Sequence, residues 1–256
     1  MSTHTGIHPA SAHPLPEIRR VNSESPWFWL AAGWGDFVRA PGVSLSVGLL
    51  LTASLLLMVS LLQPRSYPFL AAGVFAVAVF LGPVLAVGLY ELSRRIEHRK
   101  PVGLAQIHFG WMRNGVGVLT AGGVLLFFML VWYLLSMVLG TLIFGVDAAP
   151  RVATGLGNVG MLFIFSAVGF VTMAAMFVLM VVSVPMLVDH PEIDIVSAMQ
   201  SSMQAVKSNP GVMLLWAMLI VLFTALAVAP LFLGLSVVFP LLAYSSWHAD
   251  RDLVAH

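Results

Sequence analysis

Four histidines, His98, His108, His190 and His248, stand at or near the ends of long apolar runs, and imidazole is the side chain best suited to ligate a transition metal or pass a proton near neutral pH. Folding could gather them into one metal cluster. Their sequence neighbourhoods show neither a His-x3-His spacing nor an acidic partner at ligand spacing, which favours reading them as separate side chains on water-facing turns. The tail "MSTHTGIHPASAHP" offers a second metal site. With Met1 removed, Ser2, Thr3 and His4 would present an amine, two amides and an imidazole able to wrap Cu(II) or Ni(II) in a square plane. The plain alternative is a polar, proline-bearing tail without fixed structure.

"GLGNVG" at 155–160 matches the G-x-G-x-x-G dinucleotide pattern. That pattern binds pyrophosphate only when a strand precedes it and an acidic residue follows by about 20 positions. Here a polar loop precedes it and an apolar run follows, so these glycines, with Gly115, Gly117, Gly122 and Gly123, read as close helix packing. Glu91, Arg94 and Arg95 stand at helical spacings of three and four, where exposed ion pairs contribute only a few tenths of a kcal/mol. Arg94, Arg95, Arg99 and Lys100 together form a denser patch suited to anionic lipid headgroups, at about 1 kcal/mol per cation near the surface. No Ser-His-Asp arrangement or intramembrane carboxylate pair can be assigned, and with no cysteine there is no thiolate chemistry. No cofactor is expected, and no enzyme activity.

The elements that must carry these residues are set by composition: 59% hydrophobic and 9% charged residues, far from the balance of a soluble domain. The net charge of +1, with its cations in patches, argues against nucleic acid as a partner. Residues 43–62, 69–90, 115–146, 155–188 and 211–246 contain no Asp, Glu, Lys, Arg or His. Each is long enough to cross about 30 Å of hydrocarbon, which takes roughly 20 helical residues. The last run is divided by Pro230, giving an all-α membrane protein of six transmembrane helices in three hairpins. The first 25 residues have no apolar core of a signal peptide and form a tail (1–25) ahead of one membrane domain (26–256). Ten of the 12 Lys and Arg residues fall on the side of both termini, which places that side in the cytoplasm.

A phrase recurs at the mouths of three spans: Arg39-Ala40-Pro41-Gly42, Arg113-Asn114-Gly115 and Lys207-Ser208-Asn209-Pro210-Gly211. Before each lie apolar residues at helical spacing: Trp27, Leu30, Trp34 and Phe37; Leu104, Ile107 and Trp111; Ile193, Val196, Met199, Met203 and Val206. Each stretch reads as an amphipathic helix in the cytoplasmic interface, ending in a cation that suits the helix dipole and phosphate headgroups. Pro or Gly then turns the chain into the span, with Asn114 or Asn209 as cap. Three such corners imply three repeated units, 26–91, 103–188 and 193–248.

The second helix of each unit carries a proline, Pro83, Pro185 and Pro240, which frees the carbonyls near Val79, Val181 and Ser236. Those carbonyls must face protein or a wet cavity, so the kinks are expected to bound either a narrow crevice with Tyr90 and Tyr244 near its rim or a closed packed seam. The second hairpin's long runs predict a projection that lifts Asp147 and Arg151 off the far face as a partner-binding knob.

The stretches "IRRV" (18–21), "PWFWLAAGWGDFVRAP" (26–41), "GPVLAVGLYELSRRIE" (82–97), "NPGVMLLWAMLI" (209–220) and "SWHADRDLV" (246–254) resemble a bacterial integral-membrane family classed only as a domain of unknown function. The resemblance implies six helices in the bacterial inner membrane and brings no activity. Some members carry the label cytochrome c oxidase subunit I, but a catalytic oxidase subunit holds haem and copper by histidines within its spans, and these spans have none. Two roles remain: a non-catalytic scaffold or accessory protein contacting anionic lipids and a membrane complex, or a transporter or binding protein for a lipid or small amphipathic molecule. Ion coupling would need an ionisable intramembrane residue, which the spans lack.

Overall fold

The computed structural model describes residues 16–61, 82–145 and 159–255. The predicted tail site at His4, the knob residues Asp147 and Arg151 and most of the "GLGNVG" stretch lie outside them. The described chain is all-helical: α1 (Ser25–Arg39), α2 (Pro41–Leu61), α3 (Val87–Glu97), α4 (Ile107–Arg113), α5 (Gly115–Phe144), α6 (Val159–Met180), α7 (Ser183–Asp189), α8 (Ile195–Ser208), α9 (Pro210–Val228) and α10 (Leu235–Leu253).

Four helical stretches are long and apolar enough to span a membrane: Pro41–Leu61, Gly115–Ile143, Phe163–Asp189 and Pro210–Val228. The six expected spans are therefore reduced among the described residues. Most of 69–90 lies outside those residues, and α10 is too polar over its second half, where Ser, His, Asp and Arg follow Tyr244. Pro230 falls in the turn 229–234 between α9 and α10, as its missing N–H requires.

The three corners share one backbone geometry. Ala40 has φ −134 and ψ 55, Asn114 φ −138 and ψ 65, and Asn209 φ −132 and ψ 51. Pro41 and Pro210 each open the next helix, where a proline gives up no hydrogen bond. Asn114 caps α5 as expected, accepting from Gly117 N at 2.9 Å. Asn209 does not cap α9. Its Oδ1 accepts from Val21 N at 2.9 Å and its amide donates to Arg19 O at 3.0 Å, so it pins the N-terminal segment. That segment also pairs Ile18 with Val254, so residues 16–25 are ordered, unlike the tail expected there.

Toward protein the helices before the corners turn mostly small residues, and most of the large apolar residues expected on their interfacial faces point outward. α1 buries Ser25, Trp29, Gly33, Asp36 and Phe37 against α10, leaving Trp27 and Trp34 half exposed. α8 buries Ala198, Ser201, Ser202 and Ala205, with Val196 exposed. Leu104 and Trp111 are exposed, and Ile107 packs on α3. The cause is steric: small residues such as Gly33, Ala198 and Ala205 let helix backbones approach closely, so most of the bulky residues, Trp29 and Phe37 excepted, are left outside. The glycines of α5 do not serve the α6 contact as expected; a β-carbon on Gly115 or Gly123 would meet nothing, and Gly122 faces Val84.

Both proline-kinked turns that are fully described face protein. Pro240 frees the Ser236 carbonyl, and Gly48 of α2 lies so close that a β-carbon there would sit 2.0 Å from that oxygen. Between α6 and α7 the hydroxyl of Ser202 enters the broken ladder. It donates to Val178 O at 2.9 Å and accepts from Val182 N at 3.3 Å, the two groups a regular helix would join directly.

Candidate functional site at the charged end

α3, α7 and α10 pack on one another at the end of the bundle where the N- and C-terminal segments meet, and almost every charged group gathers there. Glu91 is fully buried on α3, which overturns its reading as an exposed ion-pair partner. Arg94 forks onto it, Nε to Oε2 at 2.8 Å and Nη2 to Oε1 at 2.9 Å, while Arg95 Nε donates to Oε1 at 2.7 Å. Burial disfavours the Glu91 charge, but the hydrogen bonds and charges of Arg94 and Arg95 outweigh it and hold the carboxyl below its usual range. The same fork raises Arg94 against its own desolvation.

The expected headgroup patch is therefore split. Arg94 is buried and Arg95 is turned inward over the Phe109 ring at 5.0 Å, whereas Arg99 and Lys100 are exposed. The crevice residues are likewise redistributed. Tyr90 and Tyr244 are in the core, not at a rim, with Pro185 and Pro240 buried and Pro83 half-buried. Tyr244 Oη lies 2.9 Å from Ser44 Oγ; since Ser44 donates its proton to Ala40 O, the tyrosine is the donor.

Two further clusters were not legible from spacing. Arg251 of α10 bridges α3 and α7, donating from Nη2 to Glu97 Oε1 and from Nη1 to Asp189 Oδ2, each at 2.9 Å. Asp36 of α1 is buried and accepts from Ser93 of α3 and Arg39, with His248 Nε2 of α10 at 2.8 Å from the same Oδ2 that Ser93 reaches. Serine, histidine and aspartate are thus together but wrongly ordered for nucleophilic catalysis, which needs the serine proton taken by the imidazole. Both side chains address the carboxylate instead. Their only sequence signal is polar residues at the ends of apolar helices, which does not say who pairs with whom.

The histidines have separate surroundings: His98 Nδ1 lies 2.8 Å from Arg94 O, His108 packs on Phe109, and His190 lies beside Asp189 and Glu192. Among the described residues no three His, Asp or Glu side chains are grouped as a metal would need.

Helices long and apolar enough to cross a bilayer, joined at one end by a charged hub, define an integral membrane protein. Residues 66–189 match a family described as "Predicted integral membrane protein (DUF2189)", a domain of unknown function, and that description names no oxidase activity. No curated protein and no solved structure matches the chain.

Proposed function

We propose that this chain is a non-catalytic scaffold or accessory protein of the bacterial inner membrane, with both termini and the charged hub in the cytoplasm. The observation that carries this reading is where the hub's charges point. Asp36, Glu97 and Asp189 bind side chains that cross-link helices, and Glu91 is closed off by Arg94 and Arg95 of its own helix, rather than converging on a shared cavity. The outer helices, by contrast, present large apolar residues outward, among them Leu50, Leu119 and Phe170. Such a molecule offers rigid surface to lipid and to other membrane proteins.

Trp27, Phe28, Trp34 and Val38 on the outer face of α1, followed by exposed Arg39, suit the cytoplasmic headgroup layer, where tryptophan and arginine concentrate. Of the expected patch, Arg99 and Lys100 are exposed and available to anionic headgroups. Vesicle flotation of the purified protein tests this part: the Arg99→Gln/Lys100→Gln variant should lose dependence on anionic lipid, and unchanged dependence removes the contact. The whole reading is tested by chemical cross-linking in native membranes followed by purification. A partner in fixed stoichiometry is expected; recovery of the chain alone with a bound lipid or solute would overturn the scaffold.

The second reading, a binding protein for a lipid or amphipathic molecule, is favoured by one feature. An apolar groove of ≈ 460 Å³ runs along α5, lined by Val116, Leu119, Thr120, Gly123, Val124 and Phe127. Its lining, one apolar face of α5, suits an acyl chain.

A further inference from the structure

Asp250 lies in the last turn of the hub's central helix, α10, and is 1% exposed. Neither carboxyl oxygen has a hydrogen-bond partner. Every other hub carboxylate that is buried has one, and an ionised carboxylate left bare inside a protein is among the costliest arrangements a fold can contain. A cation large enough to neutralise it would need space, yet the residues beside it on α10, Ala249 and Leu253, are buried, as are Leu89 and Leu92 of α3. The smallest neutralising ligand is a proton, which needs no cavity.

We propose that Asp250 is a proton-binding site, holding its carboxyl as the neutral acid in the folded protein, and that its ionisation loosens the packing of α3, α7 and α10. The groups that act on it agree. Burial, and then the charge of Asp189 on α7, push its carboxyl well above the ordinary range, with Arg251 opposing. Tyr90 faces it from α3 and carries no charge to balance it. Arg251, the nearest cation, is already committed to Glu97 and Asp189. On α1 the only carboxylate, Asp36, is satisfied by Ser93, His248 and Arg39, while Asp252 on α10 accepts from Trp29. α2 and α9 contain no charged residue. An ionised Asp250 would compete for Arg251 and so weaken the bridge that ties α3 to α7.

The linkage has a definite sign. A carboxyl whose pKa is raised by folding adds stability that is complete below the unfolded value, about 4, and is lost as pH rises through the folded value. Thermal unfolding of the full-length protein in detergent, from about pH 5 to about pH 8, should show a falling midpoint, and Asp250→Asn should flatten that fall and raise the midpoint at the alkaline end. Parallel profiles for the two proteins would overturn the proposal. Should the variant not fold, infrared spectroscopy of the wild type decides: a carboxylic C=O band persisting at neutral pH and shifted by Asp250→Glu is expected, and its absence would sink the assignment.

Discussion

Two of the helices that precede the corners dock in one register, and the third does not. α1 meets α10 with Gly33 against Ser245, and α4 meets α3 with Ile107 against Gly88. Gly33 and Ile107 each stand seven residues before their corner residue (40 − 7 and 114 − 7), and Ser245 and Gly88 each stand five after their helix's proline (240 + 5 and 83 + 5). One turn further, four before the corner meets eight after the proline: Asp36 with His248, and Gly110 with Glu91. α8 has the same corner, yet its residue seven before it, Ser202, meets Val178 and Val182, which precede their proline. The difference lies in the partner helix. α3 and α10 run 14 and 13 residues past Pro83 and Pro240 (97 − 83, 253 − 240), whereas α7 stops 4 past Pro185 (189 − 185). The short connection 190–194 then folds α8 straight back onto the kink itself. The length beyond the proline sets the register; the corner phrase sets only the turn.

The sharpest way to break the shared register is through its charged position. Glu91→Ala leaves Arg94 buried without its partner, and severing a buried pair typically costs about 3–5 kcal/mol. His248→Ala at the equivalent place should cost less, about 1–2 kcal/mol, because Asp36 keeps Ser93 and Arg39. Denaturant or thermal unfolding of the purified variants measures both. Because the Glu91 carboxyl is depressed, its contribution is present above the unfolded carboxylate value, about 4.3, and is lost as pH falls through the folded value. The Glu91 variant should therefore be relatively least impaired in acid.

The glycine positions sharpen the comparison by asking which atoms they touch. A β-carbon on Gly33 would lie 2.8 Å from Ser245 N and 3.0 Å from Leu241 O, both backbone, as well as 2.3 Å from Ser245 Oγ. One on Gly88 would meet first the Ile107 side chain, at 2.2 Å, with backbone oxygen only at 3.3 Å. Both alanine variants should lose about 1–3 kcal/mol by overpacking. Ile107→Ala should restore much of the loss in Gly88→Ala, whereas Ser245→Ala should do little for Gly33→Ala. Equal rescue in the two double-mutant cycles would show that the interfaces are not distinguished by backbone approach.

The third docking is tested through its inserted hydroxyl. Ser202→Ala strands Val182 N–H and Val178 C=O and should cost about 1–2 kcal/mol. Thr172→Ala is the matched control, since that hydroxyl only bonds back to Val168 O on its own helix and should cost less than half as much. A similar loss in both would remove the special role of the insertion.

What the sequence made legible follows from the same distinction. The corners could be read because Arg39-Ala40-Pro41, Arg113-Asn114-Gly115 and Lys207-Ser208-Asn209-Pro210 act locally, through proline's fixed φ and the unpaired donors of a helix start. The long apolar helices were legible because bilayer thickness is a length. The docking faces were not, since Gly33, Ser202 and Ala205 declare themselves only through what approaches them. The hub was half legible: Glu91, Arg94 and Arg95 share one helix face, but nothing in spacing links Asp36 to His248, 212 residues away, or Arg251 to Glu97. Burial turned a weak surface pair into a desolvated, doubly bonded cluster within α3.

The smallest expected effect concerns the connection that permits the long register. α3 ends with Arg99 at φ 53, a left-handed conformation that glycine adopts without the steric cost a β-carbon brings. The turn it makes returns Arg99 N to Ile96 O and Lys100 N to Arg95 O, starting the segment that carries α4 back along α3. The described connection 190–194 contains no such residue. A glycine would suit this backbone better, so Arg99→Gly should stabilise the protein by about 0.5–1 kcal/mol in thermal unfolding. A strained position occupied by an exposed cation also invites a functional account. If Arg99 contacts anionic lipid, the same variant should bind anionic vesicles more weakly while unfolding at a higher temperature. A variant that gains stability with undiminished vesicle binding would leave the conformation unexplained by lipid, and one that loses stability would show that the arginine side chain, rather than the turn, holds α3 and α4 together.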